Sequence, residues 1–311
     1  MTAEAFPARR RTKADGFIVV AVLWILGALA TLAAIYAVYV VDTATAFGVH
    51  DDRLQAEAIV AAGLELTTYQ LTATPENRPT RGTFTVRLGS ANVAVDFRSE
   101  AARVDLNSAP KELLAGLFAA LGARREDADV YADRVIGWRT IPPEGQDPEA
   151  AAYRTAGRRY APRGNRFPHV SELALVLGLP TALVERALPF LTVYSGKPTI
   201  NALDAAPEVL AALPGMTPDR LYAVLAQRRA VPQNPDLLLS LLGPAQTHAT
   251  VEGSKAVRVN VRIAFDNGRR MSSDVVIILY DESAAEPFGV LSWRDELDEP
   301  SSAEPARASL Q

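Results

Sequence analysis

The first strong pattern in the chain is a run of 25 residues, Phe17 to Val41, without a charged side chain. At ~1.5 Å per residue a helix of that length exceeds the ~30 Å of bilayer hydrocarbon, so residues 17–41 predict a membrane span. Apolar positions then continue at helical spacing through Leu54, Ala58, Ala61, Ala62, Leu66 and Tyr69, with Asp51, Asp52, Arg53, Gln55 and Glu57 supplying the polar positions. The helix therefore extends past the membrane over residues 42–73. Its stop is signalled by Thr74-Pro75-Glu76-Asn77, followed by Pro79 and Gly82. Over 82–107 the period changes to two. Phe84, Val86 and Leu88 alternate with Thr85 and Arg87, and Val93, Val95 and Phe97 repeat the alternation after Gly89-Ser90, which predicts antiparallel strands. A helical tract fills 108–247, and strand periodicity returns within 251–294, in Val257 to Ile263, Val275 to Tyr280 and Phe288 to Trp293. Two strand groups of similar character on either side of a helical tract predict one sheet interrupted by an inserted helical domain. The tail, 295–311, is acidic and rich in Ser, Pro and Ala, a composition expected to stay disordered.

Inside the helical tract the chain repeats weakly at an offset of 96 residues. Val104, Ser108, Ala109, Glu112, Leu113, Leu114, Ala115 and Leu117 align without gaps with Ile200, Asp204, Ala205, Glu208, Val209, Leu210, Ala211 and Leu213. Each copy places a capping residue type, Ser108 or Asp204, ahead of a proline-led helix. Prolines 142, 143, 148 and 162 with Gly145, Gly157 and Gly164 mark a long loop, and helices resume near His169-Val170-Ser171, where Ser171 is a candidate cap.

Charge fixes the direction of insertion. Arg9, Arg10, Arg11 and Lys13 precede the apolar run, whereas Asp42, Asp51 and Asp52 follow it, so the N-terminus is expected in the cytoplasm and the remainder outside it. A cleaved secretory signal fits poorly, because its apolar region runs 7–15 residues and ends in a small-residue site; hydropathy alone leaves an uncleaved signal anchor open. The whole chain has a formal charge of −4, which offers no general basic surface for nucleic acid. It contains no cysteine, which excludes disulfides, thiolate metal sites and a cysteine nucleophile.

The junction Asp15-Gly16-Phe17-Ile18, between basic leader and apolar run, resembles a prepilin-like signal. Further stretches are similar to the minor pseudopilin K family of type II secretion systems: Val104-Asp105-Leu106-Asn107-Ser108-Ala109-Pro110, Phe167-Pro168-His169-Val170-Ser171-Glu172-Leu173 with Leu177-Gly178, Pro189-Phe190-Leu191-Thr192-Val193, and Phe288-Gly289-Val290-Leu291-Ser292-Trp293. The resemblance implies an α+β pseudopilin fold, a long N-terminal transmembrane helix packed on a small antiparallel sheet, with a large inserted all-helical domain containing two SAM-like repeats. It implies a leader of residues 1–16, with prepilin peptidase cutting between Gly16 and Phe17. It also implies an inner-membrane anchor with a periplasmic domain, and assembly with minor pseudopilins I and J and other pseudopilins at the pseudopilus tip. Prepilins usually carry glutamate at the fifth mature position, which pairs with a neighbour's amine. Here that position is Ala21, a departure typical of the K type.

Other chemistries compete with this picture. Ile200-Asn201-Ala202-Leu203-Asp204 through Leu213-Pro214-Gly215-Met216 looks like part of a helix-hairpin-helix, which would make the chain a membrane-anchored DNA receptor. Against that, Pro218 lacks an amide proton and Asp219 repels phosphate, leaving Arg228 and Arg229 as the nearby basic pair. The histidines, His50, His169 and His248, form no metalloprotease spacing, and no nucleophile elbow is present, so an enzyme is not expected. No cofactor is required. Asp281, Glu282 and Glu286 form an acidic cluster with the residue types that calcium takes, although solvated loop acids read the same way.

Overall fold

The computed structural model describes residues 15–73, 78–142, 144–145, 147–229, 234–281 and 284–296. Most of the expected leader, the stop signal at Thr74–Asn77 and the tail from residue 297 lie outside the described residues.

No proline interrupts the chain from Asp15 to Thr72, and these 58 residues form one helix, α1. Two compact units divide between Ala58 and Ile59, so α1 begins in one and ends in the other. The second unit contains strands β1 (Arg81–Leu88), β2 (Ala91–Ser99) and β3 (Val104–Asp105), then helices α2 (Lys111–Ala120), α3 (Arg125–Arg139), α4 (Pro148–Thr155) and α5 (Thr181–Ala187). Short strands β4 (Leu191–Thr192) and β5 (Ile200–Asn201) come next, followed by α6 (Pro207–Ala211), α7 (Pro218–Gln227), α8 (Pro235–Leu242) and β6 (Ala249–Thr250). The chain closes with β7 (Ala256–Phe265), β8 (Arg270–Leu279) and β9 (Phe288–Glu296).

Five strands form one antiparallel sheet in the order β1-β2-β7-β8-β9. Residues 100–255 therefore leave and re-enter the sheet between the neighbours β2 and β7. The period-two pattern decides which face is dry: Val95 pairs opposite Val261 and Phe97 opposite Val259, and all four are buried. The last turns of α1 lie on that face. A Cβ on Gly63 would stand 3.5 Å from both Val261 and Val95, and Ile59, Val60, Leu64 and Leu71 are buried on the same helix. Gly82, at the start of the expected strand region, lies within β1, where a Cβ would come 2.4 Å from the Phe97 ring.

The helical region repeats its internal connections at the offset the sequence suggests. β3 pairs in parallel with β4, and β5 pairs in parallel with β6. Asp105 accepts from the amides of Asn107 and Ser108, as Asn201 accepts from that of Leu203. An arginine then returns from the end of a later helix to clamp each turn. Arg139 donates to the carbonyls of Leu106 and Ala109, and Arg228 to those of Ala202 and Ala205, positions that are 96 residues apart in each case. Where the halves meet, a Cβ on Gly116 would fall 1.9 Å from the carbonyl oxygen of Ala212, its own counterpart in the alignment. Counterparts that touch each other are the mark of a two-fold arrangement.

Three local expectations are corrected. Ser108 and Asp204 do not cap α2 and α6, whose caps are Pro110 and Ala206 without side-chain bonds, because Asp105 and Asn201 already engage the turn amides. At the 3-10 turn Val170–Leu175 the cap is His169, whose ring nitrogen accepts from the Ser171 amide at 3.2 Å. The long proline-marked loop contains α4, started by Asp147 and by Pro148 in the first turn. Its Tyr153 is fully buried beside Trp138, and its hydroxyl accepts from the Leu177 amide at 2.7 Å.

Candidate functional site

The N-terminal helix carries the first set of sites. Phe17–Val40 has a mean hydropathy of 2.7, long and apolar enough by composition to cross a membrane. Its side chains are exposed, with Phe17 79% and Trp24 77% accessible, which is the surface a lipid-embedded helix presents. Gly27 has nothing within 4 Å, and Val20, Leu23, Trp24 and Thr31 flank it and Ala28 in a shallow groove. Gly16 and Phe17 lie one and two residues inside the helical start at Asp15, and Ala21 sits about one turn further on.

The acidic cluster lies only partly among the described residues. Asp281 is bonded by the Lys255 ammonium at 2.7 Å, which holds its carboxyl below the usual carboxylate range, and both side chains are more than half exposed. Glu286 is exposed, and Glu282 lies outside the described residues. Among the described residues no group of three potential ligands converges.

Where the helical region meets the sheet, a cleft of about 290 Å³ is lined by charged groups that sequence patterning did not single out. Glu100, whose side chain is 1% exposed, binds Arg258 at 2.8 Å, approaches Arg103 at 4.0 Å and accepts from the Thr192 hydroxyl. Arg258 also bonds Asp274 on β8. Burial opposes the Arg258 charge, but Glu100 and Asp274 outweigh it and hold its pKa above the ordinary value. Arg103 goes the other way, lowered first by burial and then by Arg258 beside it. One network thus ties the turn after β2 to β4, β7 and β8, joining sheet to insertion. Only the polar positions of β2, β7 and β8 hinted at it; Glu100 lies in a 3-10 turn outside any periodic pattern.

The hairpin between α6 and α7 is equally informative. Arg228 turns inward to backbone carbonyls, and burial pushes its pKa down to about 10 despite the opposing Asp204. Pro218 and Asp219 open α7 at the position where a phosphate would need amides. The hairpin is therefore built to pack, with Arg228 serving as its clamp.

Residues 92–196 match the family described as type II secretion system (T2SS), protein K. No curated protein matches the chain by sequence. Among solved structures, the chain resembles one from the crystal structure of the GspK-GspI-GspJ complex of the enterotoxigenic Escherichia coli type 2 secretion system. The TM-score is 0.61 at 17% identity, over 79% of this chain and 98% of that one. At that identity the likeness establishes the shared α+β fold.

Proposed function

We propose that this chain, whose residues 92–196 match the type II secretion system protein K family, is a minor pseudopilin of the inner membrane that assembles with minor pseudopilins I and J at the tip of the periplasmic pseudopilus. The observation that carries this is the continuous helix Asp15–Thr72, apolar over a membrane's thickness and then laid by its last turns on an antiparallel sheet split by a helical insertion. The complex that includes the similar structure names K, I and J together, which supports the choice of partners.

Two features support tip position. With Ala21 in place of a carboxylate, the helix lacks one means of docking beneath a subunit above it. Residues 100–255, inserted between adjacent strands, add bulk that would crowd the shaft of a helical fibre but not its end. Maturation by prepilin peptidase between Gly16 and Phe17 would release the basic leader on the cytoplasmic side.

The test is to express the chain with and without prepilin peptidase and to read the N-terminal residue of the membrane-extracted product by mass spectrometry. A peptidase-dependent product beginning at Phe17, co-eluting with pseudopilins I and J on co-expression, is the expected result. An intact leader in both strains would sink the pseudopilin assignment.

A further inference from the structure

The outward face of the five-stranded sheet is strongly basic in a chain whose overall formal charge is −4. Residues directly opposite one another share a face, so the register gives its composition. One row reads Arg81, Arg98, Arg258, and the next reads Thr83, Asp96, Asn260, Asp274, Arg294. The following rows contain Arg262 beside Ala94, and Arg87 and Arg270 on either side of Asn92 and Ala264. Seven arginines thus share the face with two aspartates among its described side chains, and Glu296 holds the register position opposite Ser272 on the β9 edge.

Three of the seven are committed within the chain. Arg81 faces Asp204 at 3.3 Å, Arg87 bonds Asp266 at 2.7 Å, and Arg258 is held by Glu100 and Asp274. The other four have no carboxylate partner among the described residues; Arg262 reaches only Asn260, at 3.4 Å. Small side chains at Thr85, Ala94 and Ala264 leave a depression of about 510 Å³ at this end of the sheet, bordered by Arg262 and Arg270.

We propose that this face docks an acidic segment of a partner polypeptide, with the partner's carboxylates seated on Arg98, Arg262, Arg270 and Arg294. Same-face positions along a strand repeat at roughly 7 Å, which is also the spacing of alternate residues in an extended segment, so a Glu-x-Glu pattern can span the adjacent rows of Arg262 and Arg270 on the neighbouring strands β7 and β8. Asp96 and Asp274 share a row with Arg294, and that row stands between those of Arg98 and Arg262. They would repel a continuous phosphate backbone, whereas discrete carboxylates can straddle them, and this favours polypeptide over nucleic acid. The proposal stands on sheet register and charge and holds whichever assembly the chain joins.

The experiment uses the full chain in uncharged detergent and fluorescence anisotropy with a labelled peptide of alternating Glu and Ser, compared with its Gln counterpart. The Glu peptide should bind and weaken as salt is raised, and the Gln peptide should not bind. R262E/R270E should lose affinity by roughly tenfold and gain binding to the corresponding Lys peptide, a gain that an unfolded variant could not show. R158E/R159E, an equal charge change at exposed positions on the helical region, should alter binding less than about twofold. Equal binding of Glu and Gln peptides, or an equal loss in the R158E/R159E control, would overturn the proposal. Tighter binding of duplex DNA or phosphatidylglycerol vesicles through the same arginines would overturn it as well, and would reassign the face.

Discussion

Glu100 shows how much one buried carboxylate can hold. Removing its charge leaves a 1% exposed side chain facing the under-compensated Arg258 and Arg103, so Glu100→Gln should cost about 3 kcal/mol in urea unfolding. Asp274→Asn, at a side chain 28% exposed, should cost about 1 kcal/mol. Tyr153 gives a pH signature. Burial pushes its hydroxyl up to about 12, so the folded state favours the protonated phenol over the unfolded chain. That contribution, on the order of 2 kcal/mol, is fully present below pH 10 and is lost as pH rises towards 12. Stability of wild type minus that of Tyr153→Phe, followed across pH 10–12, should therefore fall. Neither residue stood out in the sequence: Glu100 sits between patterns, and Tyr153 falls in a proline-rich stretch that reads as loop until Asp147-Pro148 is recognised as a helix start.

At the scale of elements, glycines make a sharp contrast. On α1, Gly63 stands at ordinary contact distance from the sheet, and Ala there removes a helix-weakening glycine, so Gly63→Ala should be neutral or stabilise by up to about 1 kcal/mol. On α2, Gly116 is pressed against the Ala212 carbonyl, an atom that cannot swing aside. Gly116→Ala should then destabilise by about 2 kcal/mol or more by prising the two helical repeats apart, measurable as a lower thermal midpoint. The arginine clamps belong to the same level. Arg139→Ala and Arg228→Ala each orphan two carbonyls at one turn, at a cost of about 1–3 kcal/mol apiece. The 96-residue repeat was visible in its apolar positions, whereas the clamps were not, because Arg139 and Arg228 are not themselves 96 apart.

For the whole molecule, the decisive substitution is Ala21→Glu. If the missing carboxylate sets tip position, restoring it should let the chain incorporate below the tip, read as more copies per isolated pseudopilus in quantitative mass spectrometry; an unchanged stoichiometry would sever that link. The sequence by itself determined the membrane-length apolar run and the alternation of the strands, because desolvation acts on each segment's own side chains. It also contained the faint duplication. Tertiary structure alone decided that β2 and β7 are neighbours across 100–255, that Glu100 closes on Arg258, and that arginines from five different strands stand on one face. Such pairings depend on register between segments far apart in the chain, and periodicity within a segment does not encode them.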